Sequence, residues 1–200
     1  MAKRISKDDT DRFHDYSLYI PQRILYMGSE SVSAYEGEPG TDTFMAERQI
    51  KNLLILDTLS QDPITIIMNN IGGDVNHGLA IYDAIISCKS HVTIKVFGNA
   101  ASMGSVILQA ADERIMSPNS IQMIHYGYLG LDGHAKTAYK IADENKRIDK
   151  WMEKIYLQKI QEKQPHFSLQ RLQRMLEHDT FLTSHQSVEL GLADKVLGEE

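Results

Sequence analysis

The chain reads as an α/β protein built on a parallel sheet with one long protruding helix. Three features predict this. The apolar run Ile64-Thr-Ile-Ile-Met68 passes through Asn69-Asn-Ile-Gly72-Gly73-Asp74 into a helical segment beginning at Val75. A second unit repeats the pattern: Val92-Thr-Ile-Lys-Val-Phe97, a break at Gly98-Asn99, then small apolar residues from Ala100 to Ala111. Successive strand, glycine turn and helix make crossover units, which lay their strands parallel with helices packed on the sheet. The third feature is a helical stretch from about Ala135 to Gln164, roughly 40 Å long at about 1.5 Å per residue.

Composition bounds the rest. Two hundred residues, 42% of them hydrophobic, suffice for a single domain spanning 1–200 with a sizeable core. A formal net charge of −6 argues against a nucleic-acid partner. One cysteine, Cys88, excludes an internal disulfide and a cysteine-based metal cluster, so no metal and no cofactor is expected. The opening Met1-Ala-Lys-Arg-Ile-Ser-Lys-Asp-Asp9 lacks an apolar core, and no later run reaches membrane-spanning length. The expectation is a cytoplasmic protein with no membrane partner.

Taken in order, residues 1–15 are charged and expected to be flexible. Arg23-Ile-Leu-Tyr-Met27 predicts a first core strand closed by Gly28, and Ser29 to Asp42 a polar loop. Thr43 can cap a helix to about Leu59, with Phe44, Ala46, Ile50, Leu53, Leu54 and Ile55 as its apolar face. Ile64–Met68, apolar throughout, suits a strand buried on both faces. In the following helix Val75, Leu79, Tyr82, Ile85 and Ile86 share one side. Arg114–Met116 and Ser120–His125 read as strands, the latter with Ile121, Met123 and His125 on one face. The long helix carries Ala138, Ile141, Ala142, Ile148, Trp151, Met152 and Ile155, a stripe that calls for a partner subunit. Ser168 opens a short helix to Glu177. Thr183-Ser-His-Gln186 fits a capping box, Gly191 a helix stop, and Ala193–Leu197 a last strand.

Chemistry concentrates around Ser102. At a strand-to-helix turn, between residues too small to hide it, a serine exposes its hydroxyl beside the free amides of a helix start. The same small residues also serve a turn that merely packs helix on sheet. The Gly72-Gly73 pair offers a backbone amide beside that turn, or only turn chemistry. It is no nucleotide loop, because no Gly-x-x-x-x-Gly-Lys-Ser/Thr occurs. His125 exits a strand next to the serine's unit and can act as the base a serine needs. Such a base must be held in one tautomer by a carboxylate, yet spacing singles out none of the 27 acids.

Gly-Asn-Ala-Ala-Ser-Met-Gly, Asn-Ile-Gly-Gly-Asp-Val, Met-Ile-His and His-Asp-Thr-Phe-Leu together resemble the proteolytic subunits of Clp proteases, over roughly Tyr16 to Leu197. The resemblance implies Ser102 as nucleophile, His125 as base and Asp179 as the third member of the triad. It implies an oxyanion hole from the amides of Gly73 and Met103. It further implies a crotonase-like fold, a handle over 126–164, and self-assembly into two stacked seven-membered rings, a tetradecamer. Peptide would lie between Asp74 and Val75 on one side and Tyr128 and Leu129 on the other, added as a strand. An AAA+ Clp ATPase, an unfoldase, would deliver unfolded protein or peptide substrate.

The chain departs from the family pattern in four places. Ile71 stands where the family usually has Pro, and Tyr126-Gly127 where it has Gln-Pro. Ser31 to Thr43 reads as an insertion, and the N-terminal segment lacks the usual apolar start. Three other classes compete with a compartmentalised serine peptidase. A non-catalytic ring paralogue would have lost a triad residue. A crotonase acting on acyl-thioesters would not need this serine and histidine. A Ser-Lys signal-peptide peptidase would need a catalytic lysine and usually an anchor. Because Asp179 follows the long helix, that helix and its partner ring are also expected to govern where Asp179 settles.

Overall fold

The computed structural model describes residues 6–28, 40–127 and 134–199. Helix α1 (Lys7–Tyr16) starts where the Ser6 side chain accepts the Asp9 amide, with Asp8 and Asp9 in the first turn beside the positive helix end. The described part of the charged N-terminal stretch is therefore helical, held by its cap, although α1 buries no residue. Strand β1 (Leu18–Tyr19) turns through a 3-10 segment, Ile20–Gln22, into β2 (Ile24–Met27). Helix α2 (Thr43–Leu59) is capped one residue earlier than the sequence suggests, by Asp42 accepting the Met45 amide. Then come β3 (Ile64–Asn70), α3 (Val75–Ser87), β4 (Val92–Ala101), α4 (Met103–Leu108), β5 (Glu113–Met116) and β6 (Ile121–Ile124). The remainder is α5 (Ala135–Lys163), α6 (Leu169–Leu176), β7 (Thr180–Thr183), α7 (Ser184–Leu190) and β8 (Lys195–Val196). The expected capping box joins Thr183 and Gln186, and Gly191 ends α7 with φ 93°.

The sheet runs β1-β2-β3-β4-β5-β8, with β2 onward parallel and β1 antiparallel to β2. β4 is its hub. Residues Thr93 to Val96 pair with β5, while Asn99 to Ala101 pair with β6, so the sheet forks along one strand. The sequence predicts a break at Gly98-Asn99, but the strand continues. Gly98 takes φ +93°, the register slips between Met68 and Asn70, and the Asn69 side chain accepts the Asn99 amide at 3.0 Å. An irregularity absorbed by glycine keeps the ladder intact and re-aims the strand's last residues.

Two apolar clusters hold the layers. Leu25, Met27, Ile66, Met68, Ile94 and Val96 meet Leu53, Leu56, Ile81 and Ile85 of the covering helices. A second cluster joins Met103, Val106 and Ile124 to Met152, Tyr156, Ile160, Leu172 and Leu176. Helix α4, buried along its whole length, contributes to both. Three sequence expectations change here. β3 is not covered on both faces: Ile64, Ile66 and Met68 are buried, while Thr65 and Ile67 are half-buried and Asn69 is exposed. α2 buries Gln49, Asn52 and Leu56 with Ala46 and Leu53, and leaves Phe44, Leu54 and Ile55 exposed. α5 divides into two halves. Tyr139 is 73% exposed, whereas Met152, Tyr156 and Ile160 are packed into the chain's own core, so the partner-seeking stripe is largely confined to the first half among the described residues.

Candidate active site

Ser102 caps α4 directly at the end of β4, with φ 51° and ψ −122°. A left-handed φ at a residue bearing a side chain is strained, and the surroundings hold it there. Its amide donates to Met123 O of β6 at 2.8 Å, and its carbonyl accepts the Ser105 amide at 2.9 Å. Gly72 lies so near that a Cβ on it would sit 2.5 Å from the Ser102 Cβ. The hydroxyl thus leaves a sharp strand-to-helix turn, aimed out of the sheet.

His125 follows the last residue of β6, and Asp179 precedes the first of β7. Those strands are antiparallel with Ile124 opposite Thr180, which brings His125 and Asp179 side by side. His125 Nδ1 lies 2.9 Å from Asp179 Oδ1, and Nε2 lies 2.8 Å from Ser102 Oγ. The imidazole is 8% exposed and the carboxylate 39%. Serine, imidazole and carboxylate form one unbroken relay. The β6–β7 register brings Asp179 beside His125 within the chain's own sheet.

The Gly-Gly loop completes the site. Thr41 bridges it: Thr41 N–H donates to Gly72 O, and the Asp74 amide donates to Thr41 O at 2.8 Å. In a parallel bridge those bonds occupy the neighbours of Gly73, so the Gly73 amide turns to the opposite edge. Gly73 has φ +141°, and a Cβ there would approach Thr41 N to 2.4 Å. Buried Asn70 braces the loop by accepting the Gly72 amide at 2.7 Å and lying 3.3 Å from the Thr41 hydroxyl. Met103 opens α4, so its amide precedes the intrahelical ladder.

The profile of the Clp protease family matches residues 31–200. The chain belongs to the Clp protease family. Its similarity extends to the ATP-dependent Clp protease proteolytic subunit of Deinococcus radiodurans, 32% identical over 94% of this chain and 87% of that protein. The protein of the same description from Chlorella vulgaris is 32% identical over 90% of this chain and 84% of its own length. Clp proteases of this family are serine peptidases, and the mostly parallel α/β sheet fits that fold.

In this Clp protease chain the remaining expected residues fare unequally. The sequence asks Asp74 for main-chain bonds to a peptide, yet its amide is held by Thr41 O and its carbonyl accepts the Gly78 amide at 3.0 Å. Its side chain caps α3 on the His77 amide. Val75, first residue of α3, keeps an amide outside the helical ladder. Tyr128 and Leu129 lie outside the described residues, as does most of the Ser31–Thr43 insertion. A cleft of about 330 Å³ lined by His125, Tyr126, Gly127, Leu176 and Asp179 opens beside the triad. Asn70 and Thr41 were not legible as site residues. Their only signal is an asparagine two residues before a Gly-Gly pair, a common turn pattern.

Behind α4, Ser105 Oγ accepts from Gln122 Nε2 and from the Tyr156 hydroxyl, both at 3.0 Å. Gln109 Nε2 donates to Ser105 O, and Arg114 donates to Gln109 Oε1 at 2.7 Å and pairs with Asp194 at 2.6 Å. Burial works to raise the Asp194 carboxyl, but Arg114's hydrogen bonds and charge, with Lys159, hold it below the usual carboxylate range. Among the described residues no His, Cys, Asp and Glu group is spaced to hold a metal, and no helix is long and apolar enough to cross a membrane.

Proposed function

We propose that the chain is the endopeptidase subunit of a self-compartmentalised Clp-type protease in the cytoplasm. It cleaves unfolded polypeptide or peptide delivered by an ATP-driven unfoldase. The observation that carries this is the 2.8 and 2.9 Å relay from Ser102 through His125 to Asp179 at the mouth of a buried helix. His125 Nε2 takes the Ser102 Oγ proton as Oγ attacks the peptide carbonyl carbon. The oxygen turns anionic between the Gly73 and Met103 amides. The imidazolium, steadied by Asp179, passes its proton to the leaving amine as the C–N bond breaks. Water then repeats the cycle on the acyl-serine ester.

Peptide lies in an extended conformation against the open edge of Gly73 and Val75, with Tyr128 and Leu129 on the other side. Main-chain bonding of that kind tolerates many side chains. The exposed first half of α5, within the handle 126–164, supplies the surface on which two heptameric rings stack. A single peptidase domain spans 1–200. The deciding experiment labels the protein with a fluorophosphonate and maps the adduct, alongside hydrolysis of a short fluorogenic peptide. The adduct is expected on Ser102, and Ser102→Ala should lower turnover about 10³-fold or more. Labelling elsewhere, or substantial turnover by Ser102→Ala, would overturn the assignment.

A further inference from the structure

Immediately after His125 the chain carries a tyrosine that the relay itself does not use. The Tyr126 hydroxyl donates to Glu153 Oε1 of α5 at 2.5 Å. The same oxygen accepts Gln173 Nε2 of α6 at 3.0 Å. The Tyr126 amide donates to Leu176 O, the last residue of α6, at 2.9 Å. One residue earlier in α6, Met175 O accepts the Thr180 hydroxyl of β7 at 2.6 Å. A single carboxylate on the long helix therefore ties the exit of β6, which bears His125, to the helix whose end leads into Asp179.

We infer that Tyr126, Glu153 and Gln173 form a clasp that positions the His125–Asp179 pair and registers α5 on the triad. The inference rests on His125 and Asp179 acting as base and orienter. Three points favour positioning over incidental packing. Asp179 is 39% exposed at the sheet rim, so β7 pairing alone leaves its carboxylate open to water. Burial first, then the bond to Glu153, pushes the Tyr126 phenol well above its ordinary range, which keeps it a donor. Asp149, one turn before Glu153, has a buried Oδ1 without a hydrogen-bond partner among the described residues, and burial and then Glu153's charge raise its carboxyl. The polar burial at this spot costs stability. Such a cost is retained where geometry matters more than packing.

Tyr126, Glu153 and Gln173 are positioning residues, since none touches Ser102. The test uses full-length Tyr126→Phe, Glu153→Ala and their double variant, with Glu153→Gln as the conservative form that keeps an acceptor oxygen. Tyr126→Phe and Glu153→Ala should each lower kcat on a short peptide about 10-fold with KM within about 2-fold, and the double variant should lose no more than either. Glu153→Gln should stay within about 3-fold of the parent chain. A second readout is independent of turnover. In the Ser102→Ala background, exchange of the His125 Nδ1 proton with water, followed by NMR on histidine-labelled protein, should quicken about 10-fold in Tyr126→Phe. Losses that multiply in the double variant, or proton exchange that stays unchanged, would overturn the clasp. Failure of Ser102 to label would instead overturn the peptidase reading, and proton exchange would still judge the clasp. Should Glu153→Ala not fold, Gln173→Ala on the α6 surface replaces it, with about a 3-fold loss of kcat expected and no loss overturning the clasp.

Discussion

The two sides of the triad are built differently. The Ser102 side is made of backbone: β4 runs into α4, Gly72 and Gly73 close on it, and Asn70 braces the loop from a buried position. The Ser102 amide is paired with Met123 O, and a Cβ on Gly73 would come within 2.4 Å of Thr41 N. The Asp179 side lies at the sheet rim, where β7 pairs with β6 among the described residues, the Asp179 side chain is 39% exposed, and its carboxylate bonds His125. Backbone packing gives Ser102, the proposed nucleophile, its station. Side-chain bonds give its base an orientation that can be tuned. Substitutions on the first side should displace backbone around Ser102, and those on the second should change how His125 is oriented.

The largest effect should come from removing the charge that orients the base. Asp179→Asn preserves shape but favours the wrong imidazole tautomer, and peptidase kcat should fall about 10³–10⁴-fold while Ser102 and its turn stay folded. Unchanged thermal unfolding beside that loss would mark the rim as orienting chemistry without carrying the fold. Next is Gly73→Ala. Its φ of +141° and a Cβ 2.4 Å from Thr41 N force the loop away, displacing the amide proposed as one oxyanion donor. A fall in kcat of about 10²-fold with little change in KM is expected from steady-state kinetics. A variant of full activity would show that the loop is compliant, and the contrast between the sides would collapse.

The smallest effect on turnover should come from the support behind α4. Arg114 is nearly buried, and Asp194→Asn leaves its charge short of a partner. Because Asp194 is about one-third exposed, roughly 2 kcal/mol of stability should be lost near pH 7, below the usual range for a buried pair. Its carboxyl is lowered in the folded state, so this contribution is complete above the unfolded value and disappears as pH falls through the folded one. The gap in unfolding temperature between the parent chain and Asp194→Asn should therefore close below about pH 4. A gap that persists in acid would mean packing, not ionisation, holds the pair.

Much of the site was legible because it is local. Strand, glycine and helix signals within some forty residues placed Ser102 and the Gly-Gly loop on adjoining turns, and β6 alternation brought His125 to a strand exit. The extent of β4 was misjudged for the same reason. A glycine reads as a break, and only the side chain of Asn69 on the neighbouring strand shows that the ladder survives it. Residue patterns caught only part of the buried face of α2, Ala46 and Leu53, since hydrophobicity alone does not say that Gln49 donates to Tyr26 O and Asn52 to Tyr16 O.

The sequence by itself determined most of the central strand-and-helix units, though not α1 or β7, together with the turn bearing Ser102, the helix start at Met103 and the capping of α7, because each of these depends on contacts within a few residues. The tertiary structure alone decided which acid of many meets His125, how α5 is buried, and that Asn70 and Thr41 brace the Gly-Gly loop while Tyr126 bonds Glu153. Those outcomes depend on pairings dozens of residues apart, such as Ile124 opposite Thr180 and Tyr126 against Glu153. Local propensity carries no record of a register or of a distant hydrogen bond. Those are set when the sheet forks at β4 and the second core closes over α4.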